Sequence, residues 1–159
     1  MNFLKKMVNE KAFYNQINDI IQTTQNTLQQ SYYEINKINT NLTALSALTI
    51  EKNEETQLKS LFIKRIFENL KDFKYYFTEF REELNELLTT KDNVKLNAKT
   101  RKNIKLLIEL EKDCQLKFLD TYSVFLVKCK LSEAKKQQIM DIYIEIIKDL
   151  NFNVHTNEK

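Results

Sequence analysis

Few residues in this sequence are of the types that perform nucleophilic, acid–base or metal chemistry. His155 is the only histidine, and its polar surroundings indicate neither the rigid placement nor the partner that a catalytic base needs. Cys114 and Cys129 are the only cysteines, and both fall within one predicted helix. Their spacing corresponds to roughly 22 Å of axial rise, too far for a disulfide within the chain. We expect two small core thiols; the alternative is an intermolecular disulfide or a reactive thiol.

Carboxylates are plentiful, so their positions decide whether acid catalysis is indicated. Asp141, Glu145 and Asp149 lie one turn apart on the last predicted helix and form an acidic row. A second group crowds the end of the second predicted helix: Glu79, Glu82, Glu83 and Glu86. Both groups avoid the apolar positions, which indicates solvated faces. Glu111 falls within an apolar stripe, where a buried acid would have a shifted pKa, although snorkelling at the edge of the stripe is the favoured interpretation.

These residues do not form a catalytic or metal-binding pattern. Zinc needs clustered Cys and His ligands, and di-iron bundles need Glu-x-x-His pairs, neither of which occurs in the chain. We therefore predict no catalytic residue, no cofactor and no metal site, and we expect a protein that is not an enzyme.

One basic segment is a candidate for binding anions. Six basic residues lie close together and are opposed only by Asp92: Lys91, Lys95, Lys99, Arg101, Lys102 and Lys105. Phosphate backbones bind to such patches. However, no aromatic residue is interleaved for base stacking, and the net charge of the chain is only +3. A solvated loop is the simpler interpretation, and an anionic partner is the alternative.

The elements that would position these residues are helices. The chain of 159 residues contains 0 Gly and 0 Pro. Tight hairpin turns and phosphate-binding loops depend on glycine, so all-β folds, P-loops and dinucleotide-binding turns are excluded. In the segment 63–87 the apolar residues recur at alternating steps of three and four, the spacing of packed helices. They are Ile63, Ile66, Leu70, Phe73, Phe77, Phe80, Leu84 and Leu87.

A second heptad series precedes this segment. Its members are Met7, Tyr14, Ile21, Leu28, Ile35 and Leu42, with Ile17, Thr24, Ser31, Ile38 and Leu45 at the companion position. We predict an all-α fold, an elongated antiparallel bundle of about four helices with a long N-terminal hairpin and coiled-coil-like packing. We expect a single domain over residues 1–159, with helices over about 3–47, 50–89, 100–130 and 133–150 and a tail at 151–159.

The first connection leaves two arrangements open. Thr49 is the predicted N-cap of the second helix, after a turn near 47–52. The heptad phase of the first series continues into 63–87, however, so one continuous helix is the alternative to the hairpin. The weak helix formers at 22–27 and 39–41 could in addition kink or break the first helix.

The outer face of the first predicted helix is unusual because it is nearly uncharged. Between residues 15 and 46 the polar residues are almost all Asn, Gln, Ser or Thr. Interface cores are depleted of Lys and Glu, so this face, with Tyr32 and Tyr33 in its middle, is a candidate partner surface. The aromatic margin of the second predicted helix is another candidate: Phe67, Tyr75 and Tyr76.

These observations predict a non-catalytic protein that acts by binding another protein or a second copy of itself as a homodimer. A long helical hairpin with Thr-x-x-Lys near its tip, followed by shorter helices, is similar to small secretion-type chaperones and to helical immunity or antitoxin-like proteins. This resemblance implies an adaptor, chaperone, inhibitor or immunity-like role. The alternatives are a nucleic-acid accessory protein that uses residues 91–105 and a membrane-acting protein that rearranges. No apolar run reaches the roughly 18 residues of a membrane span, and we expect a cytoplasmic location.

Overall fold

The computed structural model describes residues 2–51 and 57–152, with side chains for 9–48 and 57–152. These residues form four helices and no strand: α1 (Asn2–Glu51), α2 (Gln57–Asn93), α3 (Ala98–Lys128) and α4 (Glu133–Asp149). The predicted all-α fold is therefore confirmed. His155 and the side chain of Met7 lie outside the residues that the structure describes.

The first two helices form the predicted hairpin. The Thr27 hydroxyl donates to Oε1 of Glu83 over 2.8 Å, and the Asn41 amide donates to Oδ1 of Asn69 over 2.8 Å. Because residue numbers rise on α1 as they fall on α2 across these pairs, the helices are antiparallel. The alternative of one continuous helix is wrong. The 50 residues of α1 give it a length of about 75 Å.

The heptad positions build the interface of the hairpin. All eight apolar positions of the 63–87 segment are buried, and so are the α1 positions from Ile17 to Leu45. Two of the α1 positions are polar: the hydroxyl of Thr24 donates to the Ile20 carbonyl and that of Ser31 to the Thr27 carbonyl. Since α1 itself supplies acceptors for these buried hydroxyls, the small polar residues are tolerated there. The helix continues through 22–27 and 39–41 without a break.

The helix boundaries differ from the predicted ones. Thr49 lies inside α1 and is not an N-cap, and α2 begins at Gln57 rather than near residue 50. The connection between the second and third helices, predicted over 89–100, comprises only residues 94–97. α2 continues to Asn93, and α3 begins at Ala98 because the side chain of Asn97 accepts a hydrogen bond from the Thr100 backbone. α4 begins at Glu133 as predicted, and Oγ of the N-cap residue Ser132 accepts from the backbone N–H of Lys135.

Helices α1, α2 and α3 pack against one another in pairs and so form a triangle with three outer grooves. α3 runs parallel to α1: the Asn97 backbone N–H donates to the Tyr14 hydroxyl at one end, and Cys129 lies against the Leu42 carbonyl at the other. α4 lies in the groove between α2 and α3. With 17 residues against the 31 of α3, it covers only about half of that groove.

The end of α4 shows how a chain without glycine terminates a helix. Asn151 takes the left-handed conformation at φ 52°, where glycine is the usual residue. Its N–H bonds to the Lys148 carbonyl, and that of Phe152 bonds to the Ile147 carbonyl, which is the Schellman pattern. The turn directs Phe152 into the core, within 5.3 Å of the Phe77 ring. Phe152, in the segment predicted as a tail, is thus a buried residue of the core.

Candidate binding surfaces

The candidate acids of the sequence are distributed over the surface as solvated or paired groups. Asp149 and Glu145 of the acidic row are exposed, and both pair with Lys74 of α2, at 2.8 and 3.5 Å. Glu111 is about a quarter exposed and lies 3.6 Å from Nε of Arg81, so it sits at the edge of the core as predicted. Among the described residues no group of three or more His, Cys, Asp or Glu side chains could hold a metal ion.

Both cysteines are buried free thiols. Burial raises the pKa of Cys129 to about 11 and also raises the pKa of Cys114, so the reactive thiolate is suppressed at neutral pH. This placement agrees with the prediction of core thiols.

A buried polar network, which the sequence pattern alone does not predict, crosses the hairpin. Glu34 is only 3% exposed, although its charge suggested an outer position. One of its carboxylate oxygens accepts from Nδ2 of Asn69 at 3.2 Å, and the other lies 3.0 Å from Nζ of Lys37. The hydrogen bond from Asn41 to Asn69 extends this network. Glu34, Asn41 and Asn69 flank the apolar heptad positions, and only the register of the hairpin shows that they meet.

The structure separates the five aromatic residues of the candidate partner surface. Tyr32 is half-buried and turns to α3, where its hydroxyl lies 2.6 Å from Oδ2 of Asp113 and 3.2 Å from the Leu110 carbonyl. Burial and this bond raise the pKa of Tyr32, and the same bond lowers the pKa of Asp113. Phe67 is half-buried against the core, seven residues before Lys74 and hence on the side of α2 that faces α4. Neither ring forms an exposed surface.

The other three tyrosines, Tyr33, Tyr75 and Tyr76, remain near the outside of the hairpin and are called the tyrosine strip. Tyr33 is 57% and Tyr75 is 61% exposed. The Tyr75 and Tyr76 rings make an edge contact at 5.3 Å, and Nζ of Lys37 lies 4.4 Å from the centre of the Tyr33 ring. The hydrogen bond with Glu34 raises the pKa of Lys37, and the charge of Asp72, one turn before Tyr76, adds to this rise. In the antiparallel register of the hairpin, Tyr33 on α1 lies level with Tyr75 and Tyr76 on α2.

The uncharged face of α1 forms one wall of the groove between α1 and α3. Two adjoining cavities of about 440 and 330 Å³ occupy this groove and share Gln25 as a wall. The amide side chains that α1 contributes are Asn18, Gln22, Gln25 and Gln29. Among the described residues, Lys99 of α3 is the only charged one that lines either cavity.

The six basic candidates lie at the end of the bundle where α2 meets α3. Lys91 belongs to the last turn of α2 and is half-buried, Lys95 is in the connection, and the other four are exposed on the first turns of α3. Within the described chain none of the six forms an ion pair with a carboxylate. Helical spacing spreads the four on α3 over more than one face, and of these Lys99 lines the groove with α1.

Comparisons with protein family models, with curated proteins and with solved structures find no match to this chain. No helix in the described part of the chain has the length and apolar character needed to cross a bilayer. The residues and their geometry are therefore the basis for assigning a function.

Proposed function

We propose that this chain is a non-catalytic helical-bundle protein that acts by binding another protein, in an adaptor, chaperone, inhibitor or immunity-like role. The observation that carries the proposal is the tyrosine strip, with Tyr33 and Tyr75 more than half exposed. Tyrosine is enriched at the energetic centres of interfaces, because its ring buries a large area while its hydroxyl finds a hydrogen-bond partner. The partner is a different protein, or a second copy that forms a homodimer.

Neighbouring side chains hold the rings of the tyrosine strip in place, and this ordering favours a binding function. Lys37 is held between the ring of Tyr33 and the buried carboxylate of Glu34, and the hydrogen bond to Glu34 raises the pKa of Lys37. The edge contact with Tyr76 likewise positions the ring of Tyr75. Side chains that are already ordered lose less entropy when a partner binds, so a larger share of the contact energy appears as affinity.

Site-specific cross-linking tests the proposal. A photoreactive phenylalanine is placed at Tyr75, or at Leu116 of α3 as an exposed control (43%), and irradiated in native lysate. We expect one protein to cross-link in stoichiometric amounts at Tyr75 and not at Leu116. With that protein purified, Tyr33→Ala combined with Tyr75→Ala should weaken binding about tenfold or more, and Leu116→Ala less than about twofold. The proposal fails if no protein cross-links and all retained material is lost after nuclease treatment.

The second candidate is a nucleic-acid accessory protein that uses residues 91–105. The first turn of α3 contains no acidic residue, and Lys99, Arg101 and Lys102 lie near this end of the helix. Cations at the N-terminus are repelled by the positive end of the helix dipole, so they do not stabilise the helix. The combined positive potential attracts phosphate. Polarisation of labelled DNA and RNA measured against salt tests this function: binding should weaken steeply with salt, and a negligible, flat response removes the candidate.

A further inference from the structure

The groove between α1 and α3 has defined ends. At one end the hydroxyl of Tyr14 accepts from the backbone N–H of Asn97, and at the other Tyr32 reaches the backbone of α3 at Leu110. The two tyrosines are 18 residues apart on α1, which corresponds to about 27 Å. An extended polypeptide of roughly eight residues has this length.

The groove is lined by side-chain amides above an apolar floor. Asn18, Gln22, Gln25 and Gln29 form the α1 wall, and Asn103 faces them from α3. Ile21 and Leu28 form the floor and are already buried, at 5% and 3% exposure. An amphipathic helix would therefore find little apolar area to cover in this groove.

A side-chain amide carries both hydrogen-bond donors and an acceptor, as a peptide unit does. An extended chain presents unpaired N–H and C=O groups along its length, whereas a helix pairs them internally. Asn18, Gln25, Gln29 and Asn103 make no hydrogen bond with another residue of the described chain, and Gln22 uses only its nitrogen, toward Asn26. The wall is therefore suited to the backbone of an extended segment.

The charge of the groove indicates the polarity of its occupant. Lys99 lines the end near Tyr14, and the exposed Lys102 follows one turn later. The other described residues of the lining are uncharged, so a charged side chain in the middle of an occupant would lose hydration without gaining a partner. A carboxylate of the occupant placed beside Lys99 would gain an ion-pair partner.

We propose that the α1–α3 groove binds an extended, uncharged peptide segment of a partner protein, with one acidic residue at the Lys99 end. The inference rests on the proposed function, protein binding, and adds a second site that is distinct from the tyrosine strip. Side chains of the wall bond to the backbone of the segment, and the nearby exposed Leu106 provides an apolar contact at the rim.

Selection from a randomised heptapeptide display library on the full chain tests this proposal. The enriched peptides should carry Asp or Glu near one end and uncharged residues elsewhere. In polarisation titrations of a labelled selected peptide, Gln25→Arg, which blocks the wall shared by both cavities, should weaken binding about tenfold or more. Lys99→Glu should do the same, and exchanging the acid of the peptide for Lys should restore binding to this variant.

Matched variants separate the groove from general effects. Asn36→Arg changes an exposed amide of α1 that lines neither cavity, and Lys112→Glu makes the same charge change on the outside of α3. Both should alter affinity less than about twofold. Thermal melting of each variant confirms that the bundle is folded.

Three results would overturn the groove proposal. Selected peptides could bind Gln25→Arg as well as the native chain but lose affinity with Tyr33→Ala and Tyr75→Ala; the peptide site would then be the tyrosine strip, and protein binding would still hold. A labelled thymidine oligonucleotide could bind through Lys99 while no peptide does, which would make the occupant a nucleic acid. If no peptide is enriched, the groove is not a peptide site, and cross-linking at Tyr75 decides protein binding separately.

Discussion

In a chain without glycine, the left-handed position that ends α4 falls to Asn151, at φ 52°. Asparagine tolerates this region, but a β-branched residue meets its own backbone there. We predict that Asn151→Val lowers the free energy of unfolding by about 1–2 kcal/mol and that Asn151→Gly changes it by less than about 0.5 kcal/mol. Urea unfolding provides the measurement. Asn85→Val, on the exposed face of α2, is the control and should have little effect; an equal loss at both sites would contradict the assignment.

The buried thiols predict a decline in stability at alkaline pH. Burial raises the pKa of Cys129 from 9.0 to about 11 and raises that of Cys114 as well. Below pH 9 the thiols stay protonated in both the folded and the unfolded chain, and their contribution to the free energy of unfolding is fully present. Between pH 9 and 11 the unfolded chain releases the thiol proton while the folded chain keeps it, so the free energy of unfolding falls.

Between pH 8 and 10 the expected loss is about 1 kcal/mol per thiol. The comparison is urea unfolding of the native chain and of Cys114→Ala/Cys129→Ala, both under reducing conditions. The double variant should be less stable at pH 8 but should lose less on going to pH 10. Parallel pH profiles for the two proteins would show that the thiols do not cause the decline.

At the scale of elements, α4 depends on the residue that follows it. Phe152 packs on the rings of Phe77 and Phe118, and Arg81 lies over its face while bonding to the Leu150 carbonyl. Because α4 covers only about half of the groove between α2 and α3, the contacts of Phe152 and Arg81 are needed to hold the C-terminal end of α4 in place. We predict that Phe152→Ala costs about 3 kcal/mol and that amide exchange accelerates in α4 more than in the α1–α2 hairpin.

The matched control for α4 is Ile144→Ala, because Ile144 lies on the same helix and is 47% exposed. It should change the free energy of unfolding by less than about 0.5 kcal/mol. Uniform acceleration of exchange across all four helices in Phe152→Ala would instead mean that α4 unfolds only with the whole bundle.

How far the sequence predicts each element depends on how local its signal is. The 63–87 heptads predicted eight core positions correctly, because the period of a helix alone decides which side chains share a face. Tyr32 and Tyr33 could not be distinguished, since adjacent residues differ by about 100° and only the position of α3 shows which one turns inward. Helix ends were least predictable: Thr49 has the chemistry of an N-cap, yet α1 continues past it.

At the scale of the whole molecule, the three outer grooves of the triangle have different chemistry. α4 fills part of the groove between α2 and α3, the buried network around Glu34 and Asn69 lies beside the groove between α1 and α2, and amides line the groove between α1 and α3. The sequence predicted an uncharged face on α1 but not the wall opposite it, because α3 is about 80 residues away in sequence. The candidate sites therefore depend on pairings between helices, which a single-helix pattern does not contain.

The pairing between α1 and α2 also predicts which contacts hold the hairpin in register. Apart from Thr24 and Ser31, the buried heptad positions of α1 and α2 are apolar, so a shift by seven residues would again pair mostly apolar positions. The shift would separate Asn41 from Asn69 and leave the buried carboxylate of Glu34 without that amide, which disfavours it. Replacing Asn69 alone with Leu should therefore lower the free energy of unfolding by about 2–4 kcal/mol.

Replacing Glu34, Asn41 and Asn69 together with Leu should restore most of that loss, because no buried polar group is left unpaired, and should permit more than one register. Cysteines at Thr27 and Glu83, which are in contact in the native register, report it in a background without the two natural cysteines. We expect a short bis-maleimide to cross-link them readily in the otherwise native chain and in lower yield in the triple Leu variant, with duplicated amide resonances in that variant. Full cross-linking and a single set of resonances would mean that the apolar positions alone determine how the hairpin pairs.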